Sequence, residues 1–317
     1  MSLVDERRLL VKISRLYYEQ DMTQTEIGKR LRISRQKVQR MLQRARNEEI
    51  VRTWIQPITG IYSDLEEKLA DRFGLREALV VETIAYDDQR VVSQELGSGA
   101  AEYLVRVIES GDKIVISNWS RAIAGMVDAL RFSSLKKCED VTVIQGLSEL
   151  TYSLTASGPS DLTRGLAKAL CGRALLIPAP GVASSSMAHD VFCSDPIVAH
   201  VLEQARAADM AFMGIGAVMP EPAPPWGDIV SDHWLPDLRE RGAVGEINLR
   251  YYDALGQLVN SDLDERLVGV TLDEIAQIPL TVCVAGGEGK LDAIRGALNG
   301  SLIDVIITDH VTAQTLL

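Results

Sequence analysis

The chain is predicted to be an α/β protein, with an N-terminal helix-turn-helix module ahead of a Rossmann-like, doubly wound parallel sheet. Three observations carry this. Charge is partitioned: residues 1–58 hold 13 Lys/Arg against 7 Asp/Glu, and the remainder holds 20 against 37, within a formal net charge of −11. The basic part shows helical apolar spacing broken by a tight turn. The acidic part alternates short apolar runs with helical runs, as a parallel sheet covered on both faces does.

The 317 residues suggest two units, a head over 1–58 and a body over 59–317, with 59–74 as a helical linker. A hydrophobic share of 46% is enough for a sizeable core. The sequence has no apolar run of about 18 residues, and MSLVDERRLL is charged where a secretory signal would be apolar, so a cytoplasmic protein off the membrane is expected. Cys138, Cys171, Cys193 and Cys283 lie far apart, and His189, His200, His233 and His310 show no ligand spacing. Neither a disulfide framework nor a metal site is expected. AGGEGK (285–290) is not a nucleotide loop, because Val284 and Leu291 stand where glycine and a hydroxyl are needed. GIG (214–216) lacks the third glycine of a dinucleotide fingerprint, so no cofactor is expected.

In the head, Leu9, Ile13, Leu16 and Tyr17 repeat at three- and four-residue steps and predict a first helix. Thr23-Gln24-Thr25-Glu26 is a capping box that opens a second, short helix burying Ile27 and Leu31. Ser34 caps a third helix, in which Val38, Met41, Leu42 and Ala45 share a buried stripe. Arg35, Gln36, Lys37, Gln39, Arg40, Gln43 and Arg44 then point away from that stripe. Arg and Lys neutralise phosphates, while Gln and Arg have the fork geometry that reads base edges. Thr23, Gln24, Ser34, Arg35, Gln36, Lys37, Gln39, Arg40 and Arg44 are therefore the candidate contacts to double-stranded DNA. The plainer alternative is a three-helix surface module with a solvated basic face. Gly28 stands where such helices often carry Ala, and Arg32 where the turn often has Gly, which implies slight strain. IVRTWIQ (50–56) alternates like a strand and predicts a wing.

In the body, Ile61, Leu65, Leu69 and Phe73 give the linker helix one apolar face, suited to its own domain or to a second copy. Strands are expected at 77–82, 112–117, 140–147, 174–180, 210–218, 280–287 and 304–309. Helices are expected at 90–108, 120–130, 161–171, 195–207 and 289–299. EINLRYYDALGQLV (246–259) reads as a hairpin insertion with Ala-Leu-Gly near its turn. Ligands of doubly wound sheets bind beyond the C-terminal strand ends. Those ends are small and polar here: SNWS (117–120), QGLS with Gln145 and Gly146, PAPGVASSS with Ser184 and Ser185, GIGAV with Gly216, AGGEGK and TDH. Such turns offer amides and hydroxyls to an anionic or hydroxylated ligand.

The joint pattern resembles the SorC/DeoR-type sugar-binding transcriptional regulators. The marks are LYYEQDMTQTEIGKRLRISRQKVQRML in the head, and IPAPGVASS, ADMAFMGIGAV, GAVGEINLRYYDALG and AGGEGKLDAIRGAL in the body. The resemblance implies a body similar to sugar-phosphate isomerases, a dimer or tetramer, and DNA affinity set by a sugar, polyol or sugar phosphate. It also places the pocket's polar residues at Asp253 and Lys290. One departure stands out: relatives carry Gly-Trp-Gly-x-Thr where this chain has Asn118-Trp119-Ser120-Arg121-Ala122. Asn118, Trp119, Ser120 and Arg121 are therefore expected to set which effector fits, and the change puts a phosphorylated one in doubt. The rival expectation is an isomerase- or deaminase-type enzyme fused to a DNA-binding head, with Asp253 as base and Lys290 as electrophile.

Overall fold

The computed structural model describes residues 3–51, 60–131, 139–150, 160–218 and 234–317. The chain divides into two compact units, Met1–Thr59 and Gly60–Leu317.

The first unit has three helices, α1 (Leu3–Tyr18), α2 (Gln24–Leu31) and α3 (Arg35–Asn47). Leu10 and Ile13 of α1, Ile27 of α2, and Val38, Leu42 and Ala45 of α3 form one small core, none more than 3% exposed. The α2–α3 turn is tight. Arg32 adopts the left-handed conformation (φ 52°, ψ 46°), and the Ile33 N–H donates to Gly28 O at 3.0 Å. A Cβ on Gly28 would stand 2.9 Å from Ile33 O, so glycine is what lets the turn close here. A side chain in the left-handed region costs roughly 1 kcal/mol. Arg32→Gly should accordingly stabilise the head by about 0.5–1 kcal/mol in urea unfolding; an unchanged or lower midpoint would remove strain as the account of this turn. Most of the expected wing, residues 50–56, lies outside the described residues.

The second unit opens with α4 (Ser63–Phe73), whose apolar face packs on its own domain. Leu69 is fully buried there, the Val80 N–H donates to Glu66 at 2.9 Å, and Tyr62 stacks on His310. The elements that follow are β1 (Glu77–Val81), α5 (Gln89–Val107), β2 (Lys113–Ile116), α6 (Arg121–Leu130), β3 (Thr142–Gln145), α7 (Ser160–Ala169), β4 (Arg173–Leu175), α8 (Ser186–Ser194), α9 (Pro196–Arg206) and β5 (Met210–Gly214). Next come β6 (Gly216–Ala217), β7 (Ala243–Ile247), β8 (Arg250–Asp253), β9 (Thr281–Val284) and β10 (Val305–Asp309). Two helices, Leu291–Asn299 and His310–Leu316, follow the last two strands.

Seven strands form one parallel sheet in the order β1-β10-β9-β5-β2-β3-β4. Alternate residues of each strand face opposite layers. Val115, Ile144, Met213 and Cys283 pack under α4 and α9, whereas Ile114, Val143, Phe212 and Val282 pack under α5, α6 and α7. From β2 the chain proceeds to β3 and β4 on one side, then crosses to β5 and β9 on the other. The winding therefore reverses between β2 and β5, the position at which doubly wound sheets form their ligand crevice at the C-terminal strand ends.

Two elements depart from expectation. The strand expected at 174–180 stops at Leu175, because Pro178 and Pro180 have no N–H for the ladder. The Ser148 hydroxyl holds that continuation instead, against the carbonyls of Ile177 and Ala179. The hairpin turns at Asn248 and Leu249, not at Ala-Leu-Gly. Both residues have positive φ (53° and 61°), as a two-residue hairpin turn of matching twist needs. Ala254-Leu255-Gly256 makes a second turn beyond β8, so that Leu258 bridges back to Tyr252.

Candidate functional site

In the first unit, the Thr23 hydroxyl accepts from the Glu26 N–H at 3.3 Å, and the Glu26 carboxylate accepts from the Thr23 N–H at 2.8 Å. The Thr23 hydroxyl also donates to the same carboxylate at 2.7 Å, and that bond, followed by the one from the Thr23 N–H, holds the Glu26 carboxyl below its ordinary range. Thr23 and Gln24 thus sit at the start of α2, and Ser34 caps α3 by accepting from the Lys37 N–H at 3.2 Å. Arg35, Gln36, Gln39 and Arg40 are exposed on the first half of α3, and Lys37 is half-buried beside them. Among the described residues, Arg35, Lys37 and Arg40 form no ion pair, so their charges remain available to a polyanion. Arg44 is placed differently. Its guanidinium bonds Glu48 at 2.5 Å and Glu6 at 2.9 Å, which ties the end of α3 to α1.

In the second unit, the crevice between β2 and β5 gathers several of the expected residues. Ser117 ends β2; its hydroxyl accepts from the Gly214 N–H at 3.3 Å and donates to Asn248 Oδ1 at 2.7 Å. That links the hairpin tip to the sheet. A Cβ on Gly146 would lie 2.6 Å from Asn248 Nδ2, so the tip rests directly on the backbone after β3. Asn118 is buried and donates from Nδ2 to Leu147 O at 2.7 Å. Ser120 caps α6 by accepting from the Ile123 N–H at 3.3 Å, which leaves Arg121 exposed on its first turn. Trp119 is half-buried against the small core cluster that contains Leu147, Leu249 and Leu267.

Lys290 Nζ donates to Ile215 O at 2.6 Å, just beyond β5. Opposite it stands Glu246, which sequence reasoning passed over. Its Oε2 accepts from the Leu249 N–H at 2.6 Å, and an added Cβ on Gly216 would stand 1.9 Å from its Oε1. Gly216 is glycine because this carboxylate occupies the place of a side chain. Burial pushes the Glu246 carboxyl up against the opposing pull of the Leu249 amide and Lys290. Burial pushes the Lys290 ammonium down; Glu246 opposes that shift and Arg121 adds to it. Both side chains lie deep yet keep some accessible surface, as groups on the floor of a recess do. An acid inside the otherwise apolar strand AVGEI was the available signal.

Asp253 is not brought to this cluster. It sits at the far end of β8 from the hairpin tip, and its Oδ1 accepts from the Leu255 and Gln257 N–H groups at 2.9 Å each. That is the behaviour of an Asp that builds a turn. Ser184 and Ser185 are exposed, and the Ser185 hydroxyl caps α8 at the Ala188 N–H. Neither hydroxyl touches Glu246 or Lys290 among the described residues. No group of acids, His and Cys suited to a metal occurs among the described residues.

The second unit matches a family model, the Sugar-bind family of sugar-binding domains, over residues 59–317. Over 317 residues the chain is 31% identical to the sorbitol operon regulator of Klebsiella pneumoniae, covering 99% of this chain and 98% of that one. It is 32% identical to the transcriptional regulator LsrR of Enterobacter sp. (strain 638), covering 98% and 93%. The crystal structure of the full-length sorbitol operon regulator SorC from Klebsiella pneumoniae superposes with a TM-score of 0.74 at 29% identity, covering 98% of both chains.

Proposed function

The chain belongs to the SorC/DeoR-type family of sugar-binding transcriptional regulators, and from this premise we propose that it binds operator DNA through α2 and α3 under the control of a sugar-derived effector. The observation that carries the reading is the pairing of two sites of opposite design in one chain. One is a helix-turn-helix whose Arg35, Lys37 and Arg40 form no ion pair among the described residues, beside exposed Gln36 and Gln39. The other is a buried donor–acceptor floor, Glu246 with Lys290, at the switch point of a doubly wound sheet. Charge-assisted bonds from such a floor suit sugar hydroxyls, which both donate and accept.

The role proposed for each head residue follows from its surroundings. Gln36 reads a base edge, and Arg35, Lys37 and Arg40 hold phosphates or guanines. Arg44 anchors α3 to α1 through Glu6 while lending its remaining donors to the DNA backbone. Gln36→Ala should cost about 1–3 kcal/mol on the best operator selected from a random DNA pool, and should relax specificity at one position. Equal losses on operator and random DNA would contradict the reading role.

A single head makes few contacts, and symmetric half-sites need symmetric proteins. The functional unit is a dimer or tetramer, working in the cytoplasm. Sedimentation of the full chain at micromolar concentration should show an oligomer, and a monomer with full operator affinity would overturn this. The enzymatic alternative in the form that uses Asp253 as base is disfavoured by the engagement of that carboxylate with the Leu255 and Gln257 N–H groups of its own turn. Among the described residues, no helix is long and apolar enough to cross a membrane.

A further inference from the structure

The first unit carries a recess of about 630 Å³ that α3 does not line. Five cations surround it: Arg7, Arg8, Lys12 and Arg15 of α1, and Arg30 of α2. No acid lines it, and Val11 and Leu16 give it an apolar floor. Arg7, Arg8 and Lys12 are exposed and form no ion pair among the described residues. Arg15 meets Glu19 at 3.3 Å, but both side chains are largely exposed, and such a pair contributes little. Arg8 and Lys12 stand four residues apart on the helix, and Lys12 and Arg15 three, so these like charges repel one another. The head's core does not require them, because α1 supplies Leu10 and Ile13 to it. Cations gathered against their own repulsion, with no acid beside them, mark a surface for a polyanion.

The recess borders the residues assigned to DNA at both of its ends. At one end Gln20 lines it, and Arg30 Nη1 donates to Met22 Sδ at 3.4 Å, one residue before Thr23 at the start of α2. At the other end Arg7 follows Glu6, whose carboxylate bonds Arg44 of α3 at 2.9 Å. From Arg7 to Arg15 the helix rises about 12 Å, at 1.5 Å per residue. Duplex DNA carries one charge per roughly 1.7 Å of its axis, so a row of this length meets several phosphates rather than one small anion. Phosphate contacts outside the base-reading helix fix register and add affinity without reading sequence.

We infer that α1 is a second DNA-binding surface of the head, on which Arg8, Lys12 and Arg15, flanked by Arg7 and Arg30, hold backbone phosphates beside the groove that α3 enters. The inference rests on the reading of the head as a DNA binder and extends its footprint from two helices to three. The role of these cations is electrostatic and independent of sequence, unlike that of Gln36.

The experiment is fluorescence anisotropy of the full chain with its selected operator and with random duplex, across a range of salt concentrations. Arg8→Ala and Lys12→Ala each remove one cation at an exposed helix position, where alanine is the best helix former. Each should flatten the slope of log affinity against log salt by about 1 for every head on the DNA. Near physiological salt that corresponds to about fivefold weaker binding per head, on operator and random duplex alike. Lys12→Arg keeps the charge and should keep the unaltered slope. Lys168→Ala, which removes an exposed charge from α7 of the second unit, should leave the slope unchanged and so separates a local contact from net charge. Circular dichroism of all four variants should match the unaltered chain. The inference is overturned if Arg8→Ala and Lys12→Ala keep the unaltered slope, whether or not a peptide rich in Asp and Glu binds the recess. It is equally overturned if their losses fall on the operator alone, or if Lys168→Ala flattens the slope as much as they do. A chain that selects no DNA sequence sinks the regulator reading, and the slopes on random duplex then still decide this assignment.

Discussion

Arg250→Ala is expected to destabilise the second unit by about 3–5 kcal/mol, the cost of breaking a buried ion pair by removing one partner. The Arg250 side chain is 3% exposed and bonds the carboxylate of Asp264 at 2.8 Å. It also donates to the carbonyls of Asp264 (2.6 Å), Leu267 (3.0 Å), Gly269 (3.4 Å) and Val270 (3.4 Å). Alanine would strand these acceptors in a dry interior. Arg250→Lys should recover less than half of the loss, because one ammonium cannot replace a planar fork with five donors. The segment that Arg250 gathers also supports the crevice. Gly269 bridges to Leu147, Leu267 bridges to Val182, and the Ser148 N–H donates to Val268 O. Effector affinity should therefore fall along with stability. Urea unfolding followed on the second unit's transition checks the magnitude, and a loss under about 1 kcal/mol would contradict the hub role.

Lys290→Met is expected to move the effector response to higher effector concentrations while leaving operator binding in place. Charged hydrogen bonds contribute about 1.5–3 kcal/mol, so effector affinity should fall about 10- to 100-fold. Glu246→Gln, which keeps the shape and removes the charge, should lose a comparable amount. Lys290 and Glu246 face each other, so the double variant should lose less than the sum of the two. The head is untouched in all three proteins, and their affinity for operator without effector should stay within about twofold of the unaltered chain. Operator titration across effector concentrations is the check. Variants that respond at the unaltered chain's effector concentrations would place the ligand elsewhere.

Much of this architecture was legible from periodicity and punctuation. The capping box at Thr23, the buried stripe of α3 and the parallel strands are local patterns, so they read directly. The position of the Asn118–Arg121 loop at a strand end was legible because it follows the apolar strand β2, whereas Lys290 was singled out by the resemblance to the family. What stayed hidden depended on contacts distant in sequence. Glu246 reads as one acid in a short strand until the hairpin tip is seen to lie on Ser117 and Gly146. Asp253 reads as a pocket residue until its carboxylate is seen bonded to two amides of its own turn. The turn itself was misplaced because Asn248-Leu249 lacks the glycine that usually marks a hairpin, whereas Ala254-Leu255-Gly256 has one. The tie of Arg44 to Glu6 stayed hidden because Glu6 lies on another helix, although the other partner of Arg44, Glu48, is only four residues away.

The central claim is that a small polyhydroxyl ligand in the second unit changes how the head holds DNA. The direct test is fluorescence anisotropy of the selected operator with the full chain, with and without a sugar-derived compound that raises its Tm. Coupling between sites in such proteins amounts to about 1–3 kcal/mol. The account predicts a shift in operator affinity of about 5- to 150-fold at saturating effector, in either direction, and a Lys290→Met response curve displaced about 10- to 100-fold towards higher effector concentration. Operator affinity that does not change at saturating effector, with the compound bound or turned over, would contradict it.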